Sequence, residues 1–306
     1  MIVCASRRTD IPAFHSEWVM NRLRAGYALV RNPVCRDVVN RVDLGPRNVD
    51  MLVFMTKDPR PMIEHLDEIT RMGIRFCFQV TINPYGRDIE PGISDKAEIT
   101  EAFRTISEMI GRDRVVWRYD PVILNSKYDV GYHKRKFRTL CNELDGYTDR
   151  CTFGFVDIHR KLAGLAENGT IRETSPAEMH EIGRAFAETA TSAGMKLNHC
   201  CADEDLSIYG ITSDGCLGRE MMSSLSVPFE MSAPLRERCR CVRNVDIGCY
   251  DTCDHDCAYC YANKTDGAMR RSRLYDPEGE MLYGRPGGND RIVGLSTRKT
   301  MRISDF

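Results

Sequence analysis

The first 200 residues alternate between short, nearly continuous apolar segments and longer segments with helical periodicity. Six of the apolar segments have the length and composition of strands covered on both faces, at residues 2–6, 51–56, 74–82, 114–119, 151–156 and 195–199. The periodic segments predict helices at residues 12–26, 60–72, 95–110, 132–144 and 176–193. Residues 28–33 and 38–44 predict a hairpin between the first helix and the second of these strands.

This repeated strand–helix alternation predicts an α/β fold with a parallel sheet. Polar residues gather directly after the apolar segments, and parallel strands bring their carboxyl ends to one rim. An open doubly wound sheet would also bind ligands at that edge, but no Gly-rich dinucleotide loop or phosphate loop follows any strand. We therefore predict an incomplete (β/α)6 TIM-like barrel of parallel strands at residues 1–200.

Charge and composition narrow the classes of function. The chain has 306 residues, of which 42% are hydrophobic, and a formal net charge of -1. No global field therefore favours nucleic acid, which we do not expect as a partner. No apolar run approaches the roughly 20 residues of a membrane span, and the first residues lack the apolar core of a signal peptide. We expect a cytoplasmic protein that binds no membrane.

Cysteine is abundant and unevenly placed. Nine of the fourteen cysteines lie from Cys200 onward. In a reducing compartment, grouped cysteines indicate a metal site or catalysis rather than disulfides. We assign residues 201–263 to a cysteine-rich iron–sulfur segment that packs over the barrel mouth, and residues 264–306 to a C-terminal extension.

The densest group of cysteines has the sequence CDHDCAYC, a C-x3-C-x2-C spacing with an aromatic residue before the third thiol, formed by Cys253, Cys257 and Cys260. Three thiolates leave one coordination position of a [4Fe–4S] cluster without a cysteine, whereas most electron-transfer clusters use four. A structural zinc ion is the alternative, because Cys249 or His255 offers a fourth ligand.

A second group of cysteines lies between the last predicted strand and this motif. Its members are Cys200, Cys201, Cys216, Cys239 and Cys241. One interpretation is an auxiliary iron–sulfur cluster held by Cys216, Cys239, Cys241 and either Cys200 or Cys201. A structural zinc ion and a set of unligated thiols are the other two interpretations.

The C-x3-C-x2-C motif resembles that of the radical S-adenosylmethionine (SAM) superfamily. The resemblance implies a [4Fe–4S] cluster whose open iron binds SAM, reductive cleavage of SAM, and hydrogen abstraction from a substrate by the 5′-deoxyadenosyl radical. It also implies an electron donor such as flavodoxin or ferredoxin, and a partial (β/α)6 barrel. The position of the motif departs from that superfamily, in which the cysteine loop follows the first strand. Here that place holds the sequence SRRTDIPAF.

The chain as a whole resembles DUF1848, a bacterial family described only as a domain of unknown function. The stretches that carry the resemblance are SRRTDIPAF (6–14), LVRNP (29–33), TKDP (56–59), TINPYG (81–86), WRYDP (117–121), DLSIYGI (205–211), CRCVRNVDIGCYDTCDHDCAYCYAN (239–263) and YDPEGEMLYG (275–284). This resemblance covers nearly the whole chain and implies no substrate.

Several charged and polar residues follow the predicted strands and are candidates for contact with SAM or substrate. The candidates for cofactor binding are Arg7, Arg8, Lys57, Asn83 and Arg118. The candidates for catalysis are Arg8, Asp10, Arg118 and Asp120. Guanidinium groups bind carboxylates and phosphates through paired hydrogen bonds, so this rim suits the carboxylate of SAM and an anionic substrate. The alternative is that Arg7–Asp10 and Arg118–Asp120 are ion pairs that join loops.

Three functions are consistent with these patterns. The first is a radical SAM-like enzyme that abstracts hydrogen from a substrate the sequence does not identify. The second is a SAM-independent iron–sulfur enzyme that uses the open iron as a Lewis acid. The third is a zinc or iron–sulfur binding module without catalysis, which would not need the polar rim.

Overall fold

Ten strands form two sheets in the computed structural model, which describes residues 1–201, 204–231, 238–263 and 274–295. In chain order they are β1 (Ile2–Ala5), β2 (Tyr27–Arg31), β3 (Val38–Asp43), β4 (Met51–Thr56), β5 (Phe76–Thr81), β6 (Val115–Val122), β7 (Arg150–Phe155), β8 (Lys196–His199), β9 (Val245–Asp246) and β10 (Arg291–Gly294). All six strands predicted for the parallel sheet are present within a few residues of their predicted ends.

The main sheet has seven strands in the order β8-β7-β6-β5-β4-β1-β9, and every neighbouring pair is parallel. The six predicted strands are therefore neighbours in the order in which the chain makes them, and the α/β prediction is confirmed. Across the described residues, β8 and β9 remain the two edges and the sheet does not close. The finer description as a partial barrel stays a prediction.

Eight α-helices connect or follow these strands in the described ranges. They are α1 (Ile11–Phe14), α2 (Ser16–Ala25), α3 (Leu66–Arg71), α4 (Lys96–Ile110), α5 (Val130–Glu143), α6 (Ala163–Glu167), α7 (Pro176–Ser192) and α8 (Arg219–Ser224). The helix predicted at 12–26 is broken at His15, whose backbone leaves the helical region. The helix predicted at 60–72 begins as a 3-10 turn, Arg60–His65, with Pro61 in its first turn, and continues as α3.

The two faces of the main sheet have different coverings. Residues that alternate along the strands, including Phe54, Phe78 and Trp117, pack against the helices. On α5 and α7, Phe137 and Phe186 stack with ring centroids 3.8 Å apart and join that core.

The second face of the sheet is covered by the cysteine-rich segment instead of by the connecting helices. The strand residues that face it include Cys4, Val53 and Cys77, and they pack against Met221 and Met222 of α8. Because both faces are covered, the strands are apolar on both sides, which is why they appear as continuous apolar runs in the sequence.

A smaller sheet forms beside the main one. The predicted hairpin is confirmed, since β2 and β3 are antiparallel, and β10 joins β3 in parallel. The indole of Trp18 donates to the carbonyl of Gly279 at 2.9 Å, so part of the predicted C-terminal extension packs on α2. Residues 264–273 and 296–306 of that extension lie outside the described residues. The proposed domain boundaries at 200 and 263 stay predictions.

Among the helices of the described ranges, none has the length and apolarity that crossing a bilayer requires.

The aromatic stack between α5 and α7 gives a test of the core. Phe137→Ala should reduce the free energy of unfolding by about 3–5 kcal/mol, because a fully buried ring is replaced by a cavity. Chemical denaturation monitored by circular dichroism measures the change. The control is Met109→Ala on α4, where the side chain is 43% exposed and the change should stay within about 0.5 kcal/mol. Equal effects of the two substitutions would contradict the assignment of this core.

Candidate functional site

The loop that carries the C-x3-C-x2-C motif lies at the carboxyl edge of the main sheet. Strand β9 runs parallel to β1, so the chain leaves it at the edge where the other strands end. The loop then docks on residues 86–93, where Gly92 donates to the carbonyl of His255 at 3.0 Å and Ala258 donates to the carbonyl of Ile89 at 2.9 Å. A Cβ atom on Gly92 would lie 2.7 Å from that His255 oxygen, so the close approach requires glycine.

Asp10, a candidate catalytic residue, holds this loop to the ends of β1 and β4. One of its carboxylate oxygens accepts from the amide of Ala13 and caps α1. The other accepts from the amide of Lys57 at 2.6 Å and lies 2.8 Å from Nε2 of His255. The second ring nitrogen of His255 faces the carbonyl of Gly92 at 3.3 Å. Both nitrogens are therefore engaged, which disfavours His255 as a fourth zinc ligand.

Glu90 is the centre of a buried polar network at the same edge. Its carboxylate accepts from Lys57 at 2.8 Å, from Lys96 at 2.6 Å and from Asn83 at 3.1 Å. The hydroxyl of Tyr259, the aromatic residue before the third cysteine of the motif, donates to the same carboxylate at 2.5 Å. Burial opposes the ionisation of Glu90, but the two ammonium groups outweigh it and lower its pKa to about 2.

Lys57 and Asn83 connect this network to the motif. Lys57 donates to the Tyr259 hydroxyl at 2.7 Å, and Asn83 donates to the same oxygen at 3.1 Å. Burial lowers the pKa of Lys57, but the charges of Glu90 and Cys257 raise it more, so its pKa lies above the ordinary value. The amide oxygen of Asn83 is buried and has no hydrogen-bond partner among the described residues.

The three motif thiols lie in one loop but are not arranged as a closed metal site. Burial raises the pKa of Cys253, and burial raises that of Cys257 to about 12. The charge of Cys260 makes a smaller contribution that also raises the pKa of both. Over the described residues, no three His, Cys, Asp or Glu side chains converge in an arrangement that could hold a metal ion. The donor chemistry, three thiols in one loop, fits an iron–sulfur cluster.

Arg7 and Arg8 have a different partner from the one that the sequence suggested. Their guanidinium groups lie 3.5 Å and 4.0 Å from the carboxylate of Asp246 in β9, so the alternative of an Arg7–Asp10 pair is wrong. The carbonyl of Arg7 accepts from the hydroxyl of Tyr261 in the motif loop at 2.8 Å. The Nη1 atom of Arg7 is buried and has no hydrogen-bond partner among the described residues.

Arg118 and Asp120 form the ion pair that was the alternative to a catalytic role. Arg118 also donates to the side chain of Gln79 at 2.9 Å, and Gln79 donates to the carbonyl of Cys216. Arg118 therefore faces the cysteine-rich segment on the second face of the sheet. The backbone carbonyl of Asp120 accepts from Asn83 at 3.0 Å and links this pair to the Glu90 network.

The second group of cysteines is brought together on that face. The sulfurs of Cys216 and Cys241 are 3.5 Å apart, and those of Cys200 and Cys201 are 3.9 Å apart. Cys200 also contacts Cys216, and Cys241 contacts Cys239. Contacts with Cys200 and Cys241 lower the pKa of Cys216 well below its usual range, against the effect of burial, and the pKa values of those two partners are raised.

The structure thus divides the predicted site residues between two neighbouring places. Lys57, Asn83 and Asp10 lie with the motif loop, whereas Arg118 and Asp120 lie toward the second group of cysteines. The sequence analysis missed Glu90 and Asp246, the carboxylates that hold these cations. Glu90 lies in a loop whose sequence contains no recognisable motif. Only the general rule that a buried cation requires a carboxylate partner could have suggested a residue of this type.

The lowered pKa of Glu90 predicts a dependence of stability on pH. Because its pKa is about 2 when folded and 4.5 ordinarily, its contribution is present above about pH 4.5 and is lost as the pH falls toward 2. Glu90→Gln should therefore reduce the free energy of unfolding by about 3 kcal/mol near pH 6. The difference from the native chain should shrink in urea titrations as the pH falls toward about 3.

The matched control is Glu64→Gln, because the side chain of Glu64 is 80% exposed. It should change the free energy of unfolding by less than about 0.5 kcal/mol at every pH. A difference between Glu90→Gln and the native chain that did not vary with pH would contradict the ionised Glu90 described here.

Comparison with known proteins identifies the family but no activity. No curated protein matches the chain. A family match extends over residues 2–262, and it includes the main sheet, both groups of cysteines and the motif loop. The chain therefore belongs to the family described as Domain of unknown function (DUF1848).

Proposed function

We propose that the protein is a radical SAM-like enzyme in which Cys253, Cys257 and Cys260 hold a [4Fe–4S] cluster. One observation carries the proposal: the motif loop faces the ends of the strands, because its Tyr259 hydroxyl contacts Lys57, Glu90 and Asn83. A structural module could hold its metal on any surface, whereas an enzyme must bring it to the place where a substrate is held.

The cluster, when bound together with SAM, would supply the 5′-deoxyadenosyl radical for hydrogen abstraction. The protein side chains would orient SAM and exclude water from this edge. The unpartnered amide oxygen of Asn83 suits the amino group of SAM, because a buried acceptor without a partner gains a hydrogen bond on binding. The unpartnered Nη1 of Arg7 suits a carboxylate for the same reason.

The charged groups at this edge are held in place before any ligand binds. Lys57 is fixed by Glu90 and Tyr259, and Arg118 is fixed by Asp120 and Gln79. Such fixed dipoles and charges favour a reacting centre because they need not reorganise. Asp10, which holds His255 and the amide of Lys57, acts in this proposal as a positioning residue. Roles for Arg8, Arg118 and Asp120 in contact with SAM or substrate stay predictions.

The proposal includes an electron donor such as flavodoxin or ferredoxin and a reducing, cytoplasmic compartment. All fourteen cysteines lie within the described residues and none of them is in a disulfide, which supports a reducing environment. A substrate that is a small molecule or a macromolecule is consistent with the polar rim.

Metal content tests the cluster. Protein purified without oxygen should be brown and contain about four irons per chain from this motif, as expected of a cysteine-bound cube. Cys257→Ala should lose this iron and its visible absorption because one of three thiolates is gone. The matched control is Cys249→Ala, which lies outside the motif and should keep the iron. Loss of metal in both variants, with zinc rather than iron in the native chain, would indicate a four-cysteine zinc site instead.

Turnover of SAM separates the enzyme from its alternatives. The reduced native protein should convert SAM to 5′-deoxyadenosine, measured by chromatography, and Cys257→Ala should form none. A fully loaded, reduced native protein that leaves SAM intact would contradict the proposal. Conversion of a substrate without consumption of SAM would instead favour an iron–sulfur enzyme that uses its open iron as a Lewis acid.

A further inference from the structure

The second group of cysteines forms a chain of sulfur contacts on the second face of the main sheet. Cys201 contacts Cys200, Cys200 contacts Cys216, Cys216 contacts Cys241, and Cys241 contacts Cys239. These residues come from three separate stretches of the chain, at the end of β8, before α8 and before β9. Their convergence therefore results from tertiary folding and not from their spacing in one loop.

The distance between the sulfurs of Cys216 and Cys241 suits two ligands of one tetrahedral metal ion. A zinc–sulfur bond of about 2.3 Å places two thiolates of a tetrahedral site about 3.8 Å apart. The sulfurs of Cys216 and Cys241 are 3.5 Å apart, close to this value. A [4Fe–4S] cluster attaches each thiolate to a different iron and so separates the sulfurs further. A disulfide would bring two of them to about 2.05 Å, and none of the five is in a disulfide.

The surroundings of this group also suit an anionic metal centre. Cys200, Cys216 and Cys241 are each less than a tenth exposed, so bulk water is excluded. Four thiolates around Zn²⁺ leave a net negative charge, and the cation of Arg118 is linked to this group through Gln79, which donates to the carbonyl of Cys216. Cations and hydrogen-bond donors of this kind commonly surround metal-bound ligands.

A backbone donor points to the same conclusion. The amide of Leu217 donates to the sulfur of Cys241 at 3.5 Å. Metal-bound ligands commonly have hydrogen-bonding partners of this kind.

We propose that Cys200, Cys216, Cys239 and Cys241 form a structural zinc site that is separate from the cluster motif. The described sulfurs form a chain rather than a tetrahedron, and the site closes when the side chains of Cys200 and Cys239 turn toward Cys216 and Cys241. Cys201, whose backbone has a positive φ of 53°, lies outside the ligand set in this proposal.

Such a site would fasten the cysteine-rich segment to the sheet. Cys200 follows β8 at one edge, and Cys241 lies a few residues before β9 at the other edge. One metal ion joining them would fix the path that leads to Asp246 and the motif loop. This role does not depend on the proposed radical chemistry, so the two proposals can fail separately.

The test uses the full chain with Cys253, Cys257 and Cys260 all replaced by alanine, so that the first motif binds no metal. This variant should retain about one zinc ion per chain, measured by elemental analysis, as expected for one tetrahedral four-cysteine site. Adding Cys216→Ser or Cys241→Ser should remove the zinc. Adding Cys35→Ser, an exposed cysteine in the loop between β2 and β3, should leave it bound.

A spectroscopic measurement keeps the proposal testable if the serine variants do not fold. X-ray absorption at the zinc edge of the unaltered protein should show four sulfur ligands at about 2.3 Å. The absence of zinc in the triple alanine variant would overturn the proposal. Iron bound by these thiols after purification without oxygen would also overturn it, as would zinc with nitrogen or oxygen ligands.

Discussion

The Asp10 carboxylate joins parts of the chain that are 245 residues apart, and the candidate site depends on it. It caps the short helix after β1, accepts from the amide of Lys57 after β4 and meets His255 of the motif loop. One buried carboxylate therefore connects the ends of two strands to the loop that carries the C-terminal cysteines. Without it, the motif loop would keep its contacts with residues 86–93 and the hydrogen bond from Tyr261 to the Arg7 carbonyl, but His255 would lose its link to α1 and to the end of β4.

Charge balance governs the rest of this edge. A buried cation is costly unless a carboxylate accompanies it. Lys57 is accompanied by Glu90, Arg118 by Asp120, and Arg7 by Asp246. Cations that look available for a ligand in the sequence are thus already paired in the structure. A ligand at this edge must use groups that remain unsatisfied, such as the amide oxygen of Asn83 and Nη1 of Arg7, or must displace an internal pair.

Much of the fold could be predicted because its strands are covered on both faces and so appear as apolar runs. The break at His15 and the 3-10 turn at Arg60–His65 could not, because the helical spacing of apolar positions does not distinguish one continuous helix from two short ones. The partners of the site residues were also hidden. Asp246 accepts a hydrogen bond from the hydroxyl of Ser6, which lies 240 residues earlier in the chain. No local sequence pattern predicts such a pairing. The addition of β9 to β1 likewise depends on long-range pairing.

The pairing of β9 with β1 has a consequence for the order in which the protein folds. Contacts between residues far apart in sequence form late, because closing a long loop costs conformational entropy before any contact offsets it. During synthesis, β1 can pair with β4 on one side. Its other side stays unpaired until nearly the whole chain has emerged and β9 can form. The edge of β1 is exposed over this interval, and such an edge can pair with another chain. Slow or interrupted synthesis of the last third should therefore favour aggregation through the first strand.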